Sequence, residues 1–361
     1  MKRILIVNPF GIGDVLFTTP LIANLKEAMP DSYIGYVCNA RTKDILLNNP
    51  KVDKIFVYEK DQFRKLWKAS RLLGLRKFFR LLKSIKRGKF DVAFDLSLGQ
   101  EYGFLLWLMG IKRRIGYNYK NRGIFLTDKI SVSGYENRHI AEYYLELLKF
   151  LGIEPRPRNM EFPLGEKELQ WAEEYMKEHE LAEGDMLIGV VPGGGASWGL
   201  SAYKKQWPQH RFANLANQII ERYKAKIILF GDINELPLCN QVASLIKGSP
   251  IMACGRTSLS KLAALMRKCD IMVCNDGGPL HIAVSQGLKN VSIFGPVDPN
   301  VYGPYPKSEE SVVIKKEMVC RPCYKKFKLK ECAHTDCLTN IEVNEVLAAI
   351  DKFLSEDQGG A

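Results

Sequence analysis

Three glycine-rich turns in this chain carry side chains able to hold an anion or accept a proton. In "VNPFGIGDVL" (residues 7–16) an apolar run, "ILIV", meets Gly11 and Gly13 with Asp14 directly behind them. A glycine turn after a first strand ordinarily cradles phosphate, because backbone N–H groups and the positive end of the next helix attract anions. A carboxylate opposes that use. Asp14 therefore either caps the following helix, a contribution of about 1 kcal/mol, or is presented to a ligand as a proton acceptor. In "PGGGASWG" (192–199), Pro192 stops a strand and Gly193–Gly195 let the backbone approach a ligand, with the Ser197 hydroxyl nearby. Lys204 and Lys205 follow, just ahead of Trp207 and Pro208 where a helix begins. A lysine there can reach back to a phosphate. In "CNDGGPLHIAVSQG" (274–287), Asn275 or Asp276 can cap a helix, Gly277 and Gly278 expose N–H groups, Pro279 sits at a first-turn position, and His281 adds a donor. This is an anion pocket at a helix start.

Two familiar nucleotide motifs are absent. "GIGDVL" has the first two glycines of GxGxxG but Leu16 in place of the third, and the second strand, ending "YVCNA", has no acidic residue for a ribose. A nicotinamide enzyme is disfavoured. No Walker A sequence and no Asp-x-Asp pair occurs either.

The elements that must position these turns alternate between strand and helix. "RILIVN", "YIGYVC", "KIFVY" and "VAFDLS" read as strands of the first half; "MLIGVV", "AKIILF", "PIMAC", "CDIMVC" and "NVSIFG" read as strands of the second, with amphipathic stretches between. A proline-rich stretch, "GIEPRPRNMEFPLGE", separates the halves. At 361 residues the chain exceeds what one core accommodates. The expected fold is α/β, with two Rossmann-like domains, 1–164 and 165–340, facing across a cleft, and a C-terminal helix and tail over 341–361. Pro20 complicates the first helix, since proline is comfortable only in a first turn.

The formal charge is +12, yet residues 63–90 alone hold eleven Lys/Arg and no acid, leaving +1 for everything else. Phe63, Leu66, Trp67, Ser70, Leu73, Phe78, Leu81, Leu82 and Ile85 recur at helical spacing, with Gly74 expected to bend or split the stretch. The apolar side packs on the domain's own sheet, and the cationic side suits an anionic membrane surface, where each cation is worth roughly 1 kcal/mol. No nucleic-acid reader motif accompanies the charge, so nucleic acid is not an expected partner. The N-terminus has too short an apolar run for a signal peptide or a membrane span. A cytoplasmic protein is expected, its nine cysteines reduced. Cys320, Cys323, Cys332 and Cys337, with His334, include a single CxxC and are read as thiols without a metal.

Taken together, "GIGDVLFTTPLIANLK", "KRRIGY", "PGGGA…KKQWPQHRFANLA", "LFGD" and "NDGGPLHIAVSQG…VSIFGPVDP" resemble glycosyltransferase family 9, the ADP-heptose:lipopolysaccharide heptosyltransferases. The resemblance runs from the first strand to about residue 340. It implies a GT-B fold and an inverting, metal-independent transfer of heptose from ADP-heptose to a lipopolysaccharide inner-core acceptor, with no cofactor. Asp14 then takes the role of catalytic base and Lys205 neutralises the departing diphosphate. Asp276, Gly277, Gly278 and His281 hold the nucleotide diphosphate, and Gly194, Gly195 and Ser197 form the other wall of the pocket, where the family often has hydroxyl residues. Gly13, Arg113, Arg114 and Arg122 are the expected acceptor contacts, the arginines through bidentate bonds to phosphate or carboxylate. A lipid-linked acceptor would give residues 63–90 a purpose, bringing the protein to the cytoplasmic face of the inner membrane. A nucleotide-sugar epimerase and a non-catalytic sugar-nucleotide-binding protein of the same fold are the alternatives.

Overall fold

A computed structural model describes residues 1–194, 196–332 and 334–358. The chain divides into two compact units, Met1–Pro163 and Leu164–Ala361. The first holds six strands, β1 (Arg3–Val7), β2 (Tyr33–Cys38), β3 (Lys54–Val57), β4 (Val92–Asp95), β5 (Arg113–Tyr119) and β6 (Asp128–Val132), in the order β3-β2-β1-β4-β5-β6. The second holds β7 (Leu187–Val191), β8 (Lys226–Leu229), β9 (Ile251–Met252), β10 (Ile271–Asn275), β11 (Lys289–Phe294) and β12 (Ser311–Lys315), in the order β12-β11-β10-β7-β8-β9. Every pairing in both sheets is parallel. Each sheet thus repeats the doubly wound order 3-2-1-4-5-6, which reverses direction between its first and fourth strands. Ligands of such sheets bind outside the carboxyl ends of those two strands.

Sheets covered on both faces need strands that are apolar throughout, and β1, β7 and β10 are buried along almost their whole length. In the first unit, Leu5, Val7, Val37, Phe56 and Ala93 form one cluster with Ile85 and Leu106 from the helices above and Phe90 from the connection into β4. In the second, Phe212, Leu215 and Ile219 of the Gln209–Tyr223 helix pack with Val346, Leu347, Ile350 and Phe353 of the Val343–Gln358 helix. The C-terminal helix is therefore part of the second unit's core.

Several elements differ from those read in the sequence. β5, β6 and β12 are strands that went unrecognised, and β5 includes the "RRIGY" whose arginines suggested a binding surface. Gly74 lies buried inside an unbroken helix, Arg71–Arg87; the break falls at Ser70, an extended residue whose hydroxyl accepts the Leu73 N–H. Pro20 is accommodated because the helix after the first turn is two helices, Ile12–Leu16 and Thr19–Ala28, and the proline stands in the second one's first turn.

Asp95 closes β4 at the first unit's switch point, 3% exposed, its Oδ1 accepting the Ser97 N–H at 3.0 Å and hydroxyl at 2.6 Å. Burial pushes its carboxyl up to about 6, against the lowering effect of the Ser97 bonds. Because folding raises this pKa, the native state takes up the proton first. The buried charge costs stability above pH 6, and the cost fades as the pH falls toward 4. Asp95→Asn, whose amide oxygen can accept the same two bonds, is expected to flatten the decline in unfolding free energy between pH 4 and 6. At neutral pH it should gain on the order of 1–3 kcal/mol relative to the wild type, as measured by urea denaturation across that range.

Candidate active site

The second unit's site is built on Asn275, the last residue of β10 and 1% exposed. Its amide nitrogen donates to the carbonyl oxygens of Pro192 and Gly193, both at 2.8 Å, and its Oδ1 accepts the Trp207 N–H at 3.0 Å. One side chain thereby joins the end of β7, the end of β10 and the start of the Gln209–Tyr223 helix. Neither Asn275 nor Asp276 caps the following helix, contrary to the sequence reading: the N-cap of Gly278–Ser285 is Gly277, and no side chain bonds there.

Asp276 turns its carboxylate toward Lys205 instead, with Oδ2 2.6 Å from Nζ; the two side chains are 4% and 9% exposed. The Lys205 ammonium also lies 4.7 Å from the centre of the Trp198 ring. Lys205 ends the short helical segment Ala196–Lys205. His281 is 4% exposed in the opening turns of Gly278–Ser285. A cation, a helix start and a buried imidazole thus gather at the switch point of β7 and β10.

The opposite wall includes a residue that sequence reasoning missed. The Glu235 Oε1 accepts the Gly194 N–H at 2.8 Å, and its Oε2 accepts the Asp232 N–H at 3.0 Å. Gly194 has φ +123°, a conformation that favours glycine, and a Cβ on Gly193 would come within 2.2 Å of the Glu235 carboxylate, which would have to move aside. The signal was present in "GDINE", where Asp232 and Glu235 form a capping box at the carboxyl end of β8. Gly195 lies outside the described residues, as does the side chain of Ser197.

In the first unit, Asp14 is the third residue of the Ile12–Leu16 helix, half-buried, and its Oδ2 accepts the N–H of the N-cap residue Gly11 at 3.0 Å. The buried Asn8 donates from Nδ2 to the Asp14 carbonyl at 3.0 Å and accepts the Phe10 N–H at 3.1 Å. Gly13 is half-buried beside it. Two buried tyrosines feel the Asp14 charge: Tyr36 and Tyr135 are raised well above the usual phenol range, mainly by burial and further by the carboxylate. The helix-capping role of Asp14 is thus a property of this turn, with the side chain half-buried.

The three arginines diverge. Arg113 is engaged within its own unit, making paired bonds to Asp128 at 3.1 and 3.0 Å and another to the Phe150 carbonyl. Arg114 donates to the Phe125 carbonyl at 2.5 Å and to the Ile111 carbonyl. Arg122 is exposed, its guanidinium 5.9 Å from the Tyr119 ring centre. Among the described residues, no three His, Cys, Asp or Glu side chains are grouped to hold a metal ion. Cys320 is exposed and Cys323 buried, ahead of a small hairpin formed by Tyr324–Lys325 and Lys328–Leu329.

Two parallel sheets of Rossmann order, one followed by a carboxylate turn and the other by a lysine–aspartate pair beside a helix start, give the chain the two-domain α/β architecture of the GT-B class. The family model described as "Glycosyltransferase family 9 (heptosyltransferase)" matches residues 78–334, and the chain belongs to that family. It is a glycosyltransferase. It is 25% identical to lipopolysaccharide heptosyltransferase 2 of Salmonella typhimurium across 98% of this chain and 99% of that one. A family 9 glycosyltransferase from Veillonella parvula has a crystal structure that superposes with a TM-score of 0.82 at 26% identity, covering 98% of both chains. The E. coli heptosyltransferase WaaC, crystallised with ADP-2-deoxy-2-fluoro heptose, shares the fold at 18% identity, with a TM-score of 0.69 over 99% of this chain and all of that one.

Removing one member of the Lys205–Asp276 pair leaves an uncompensated buried charge. Lys205→Met is expected to lower unfolding free energy by about 3–5 kcal/mol. The double variant Lys205→Met/Asp276→Asn should recover much of that loss in guanidinium melts while remaining unable to bind ADP normally by calorimetry. Full stability in the single variant would show that the pair carries no structural weight.

Proposed function

We propose that this protein moves a heptosyl unit from ADP-heptose to an inner-core lipopolysaccharide acceptor, with inversion at the anomeric carbon and without a metal ion. The observation that carries the proposal is the Lys205–Asp276 pair beside the start of Gly278–Ser285 at the second unit's switch point. That assembly suits a diphosphate: helix N–H groups for the oxygens, a fixed ammonium for the charge, and His281 as a further donor. Relatives of nearly equal length that are heptosyltransferases of lipopolysaccharide, and a neighbour in fold that binds an ADP-heptose analogue, support the same donor.

In this mechanism the acceptor hydroxyl oxygen attacks the anomeric carbon from the side opposite the diphosphate, and Asp14 takes the proton. The bond between that carbon and the diphosphate oxygen breaks, and its electron pair stays with the leaving group. Lys205 and the helix start meet the charge as it develops, which is where fixed donors contribute most. Gly13 and Arg122 are the acceptor contacts this reading retains in exposed or half-buried positions, while Arg113 and Arg114 shape the strand that leads to them. The basic surface of residues 63–90 docks on anionic lipid at the cytoplasmic face of the membrane that holds the acceptor.

Incubation with a panel of nucleotide sugars should release free nucleotide only from ADP-heptose and only with inner-core lipopolysaccharide present, in EDTA as in its absence. Release that ignores the acceptor, or stops in EDTA, overturns the proposal. Asp14→Asn should lower turnover by about 10²–10⁴-fold with ADP affinity unchanged, whereas undiminished turnover removes Asp14 from the chemistry. Replacing the Lys and Arg residues of 63–90 by Gln should weaken sedimentation with anionic vesicles at low salt; unchanged sedimentation assigns those cations to solvent.

A further inference from the structure

A second surface of the first unit is apolar where a soluble protein's surface is ordinarily polar. The helix Gln100–Leu108, "QEYGFLLWL", is apolar nearly all round, a pattern that belongs to elements buried on every side or lying in lipid. Its inner face is accounted for: Leu106, with Tyr102 and Met109, packs on the sheet cluster. On its outer face Phe104, Trp107 and Leu108 share one side by their spacing and are exposed, Trp107 by 51%. Phe125, from the loop between β5 and β6, completes an aromatic cluster with ring centres 5.2 Å from Phe104 and 5.9 Å from Trp107, beside Ile124 at 62% exposure.

This patch shares a layer with the basic helix. Leu81 and Ile85 of Arg71–Arg87 enter the same sheet cluster as Leu106. Rings continue from Phe78 and Phe63 through Tyr58 to Tyr102, at centre distances of 5.0 to 6.3 Å. Lys86 and Lys89 line one surface cavity with Met109 and Lys112. On the outer side of Arg71–Arg87, Leu72, Leu75 and Phe79 repeat at helical spacing and are exposed. The layer thus turns apolar and aromatic side chains outward from two adjacent helices. The cations of 63–90, with Lys112, Lys120 and Arg122, are set against only Asp91, Glu101 and the buried Asp95 between residues 63 and 127. Cations framing exposed Trp, Phe and Leu are the composition of a surface that lies in the headgroup region of an anionic bilayer.

From this we infer that the Phe104–Trp107–Phe125 cluster, together with Leu72, Leu75 and Phe79, inserts into the interfacial layer of an anionic membrane. The inference rests on the lipid-docking reading above and deepens it. Charge brings the layer to the bilayer, and apolar burial then holds it in a way that salt does not screen. The full-length protein is tested on vesicles of phosphatidylcholine with about one-third phosphatidylglycerol, some with acyl chains brominated near the headgroup. Bromine should quench a tryptophan emission component that is missing in Trp107→Phe. At about 0.5 M salt, where surface charge is screened, the wild type should keep measurable partitioning, and Phe104→Ser/Trp107→Ser should lose roughly ten- to a hundredfold of it. The Gln variants of 63–90 report separately: their unchanged binding at low salt would overturn electrostatic docking. Vesicle binding with no quenching of Trp107 would overturn insertion alone. A wild type that self-associates in lipid-free sedimentation, with monomers restored by Trp107→Ser, would show that a second copy covers the patch and would overturn it as well.

Discussion

Every functional position of the second unit is fixed relative to one buried primary amide. Asn275 uses both donor hydrogens on the Pro192–Gly193 turn and its oxygen on Trp207, and none of these bonds is replaceable by water at 1% exposure. Aspartate would lose the two donations to carbonyl oxygens, and leucine would lose all three bonds while leaving buried backbone groups unsatisfied. The amide also settles the direction of its neighbour. With Asn275 turned toward Pro192 and Gly193, the next residue, Asp276, faces Lys205, and the helix beyond starts with its N–H groups uncapped.

The first unit solves a different problem with similar parts. Asn8, again a buried asparagine at a strand's carboxyl end, bonds the Phe10 N–H and the Asp14 carbonyl and so draws the turn tight around Gly11. Here the helix start is occupied internally, because the Asp14 carboxylate accepts the Gly11 N–H. A turn capped by its own acidic residue repels phosphate and holds a carboxylate in one orientation. The glycines at 11 and 13, which in a nucleotide fold admit pyrophosphate, serve in this chain to place a negative group at the end of β1.

How much of this was legible before the coordinates depends on whether a residue's role is local in sequence. "GIGD" and "NDGGPLH" could be read because turn, cap and ligand-facing atoms lie within a few positions of each other. Glu235 escaped because its contact to Gly194 spans 41 residues and depends on β7 and β8 being neighbours. Arg113 was misjudged for a related reason. Its charge advertised a binding surface, but β5 sits between β4 and β6, and Asp128 on the adjoining strand is 15 residues away. The strands β5, β6 and β12 were missed since short parallel strands toward a sheet's edge are only partly buried and interleave polar residues, so they lack the unbroken apolar run of β1 or β10. Ser70 rather than Gly74 broke the basic helix because a hydroxyl that bonds the backbone ahead of it gains an N-cap, whereas a glycine facing a packed layer loses little by staying helical.

The repeated strand order explains why one architecture can run a two-substrate reaction. Both units place their reactive groups beyond the carboxyl ends of the first and fourth strands, yet the electrostatics are opposed: acidic side chains follow β1 and close β4, while a lysine and an open helix start accompany β7 and β10. Dividing them between two folded units lets each pocket be built from its own buried amide clamp.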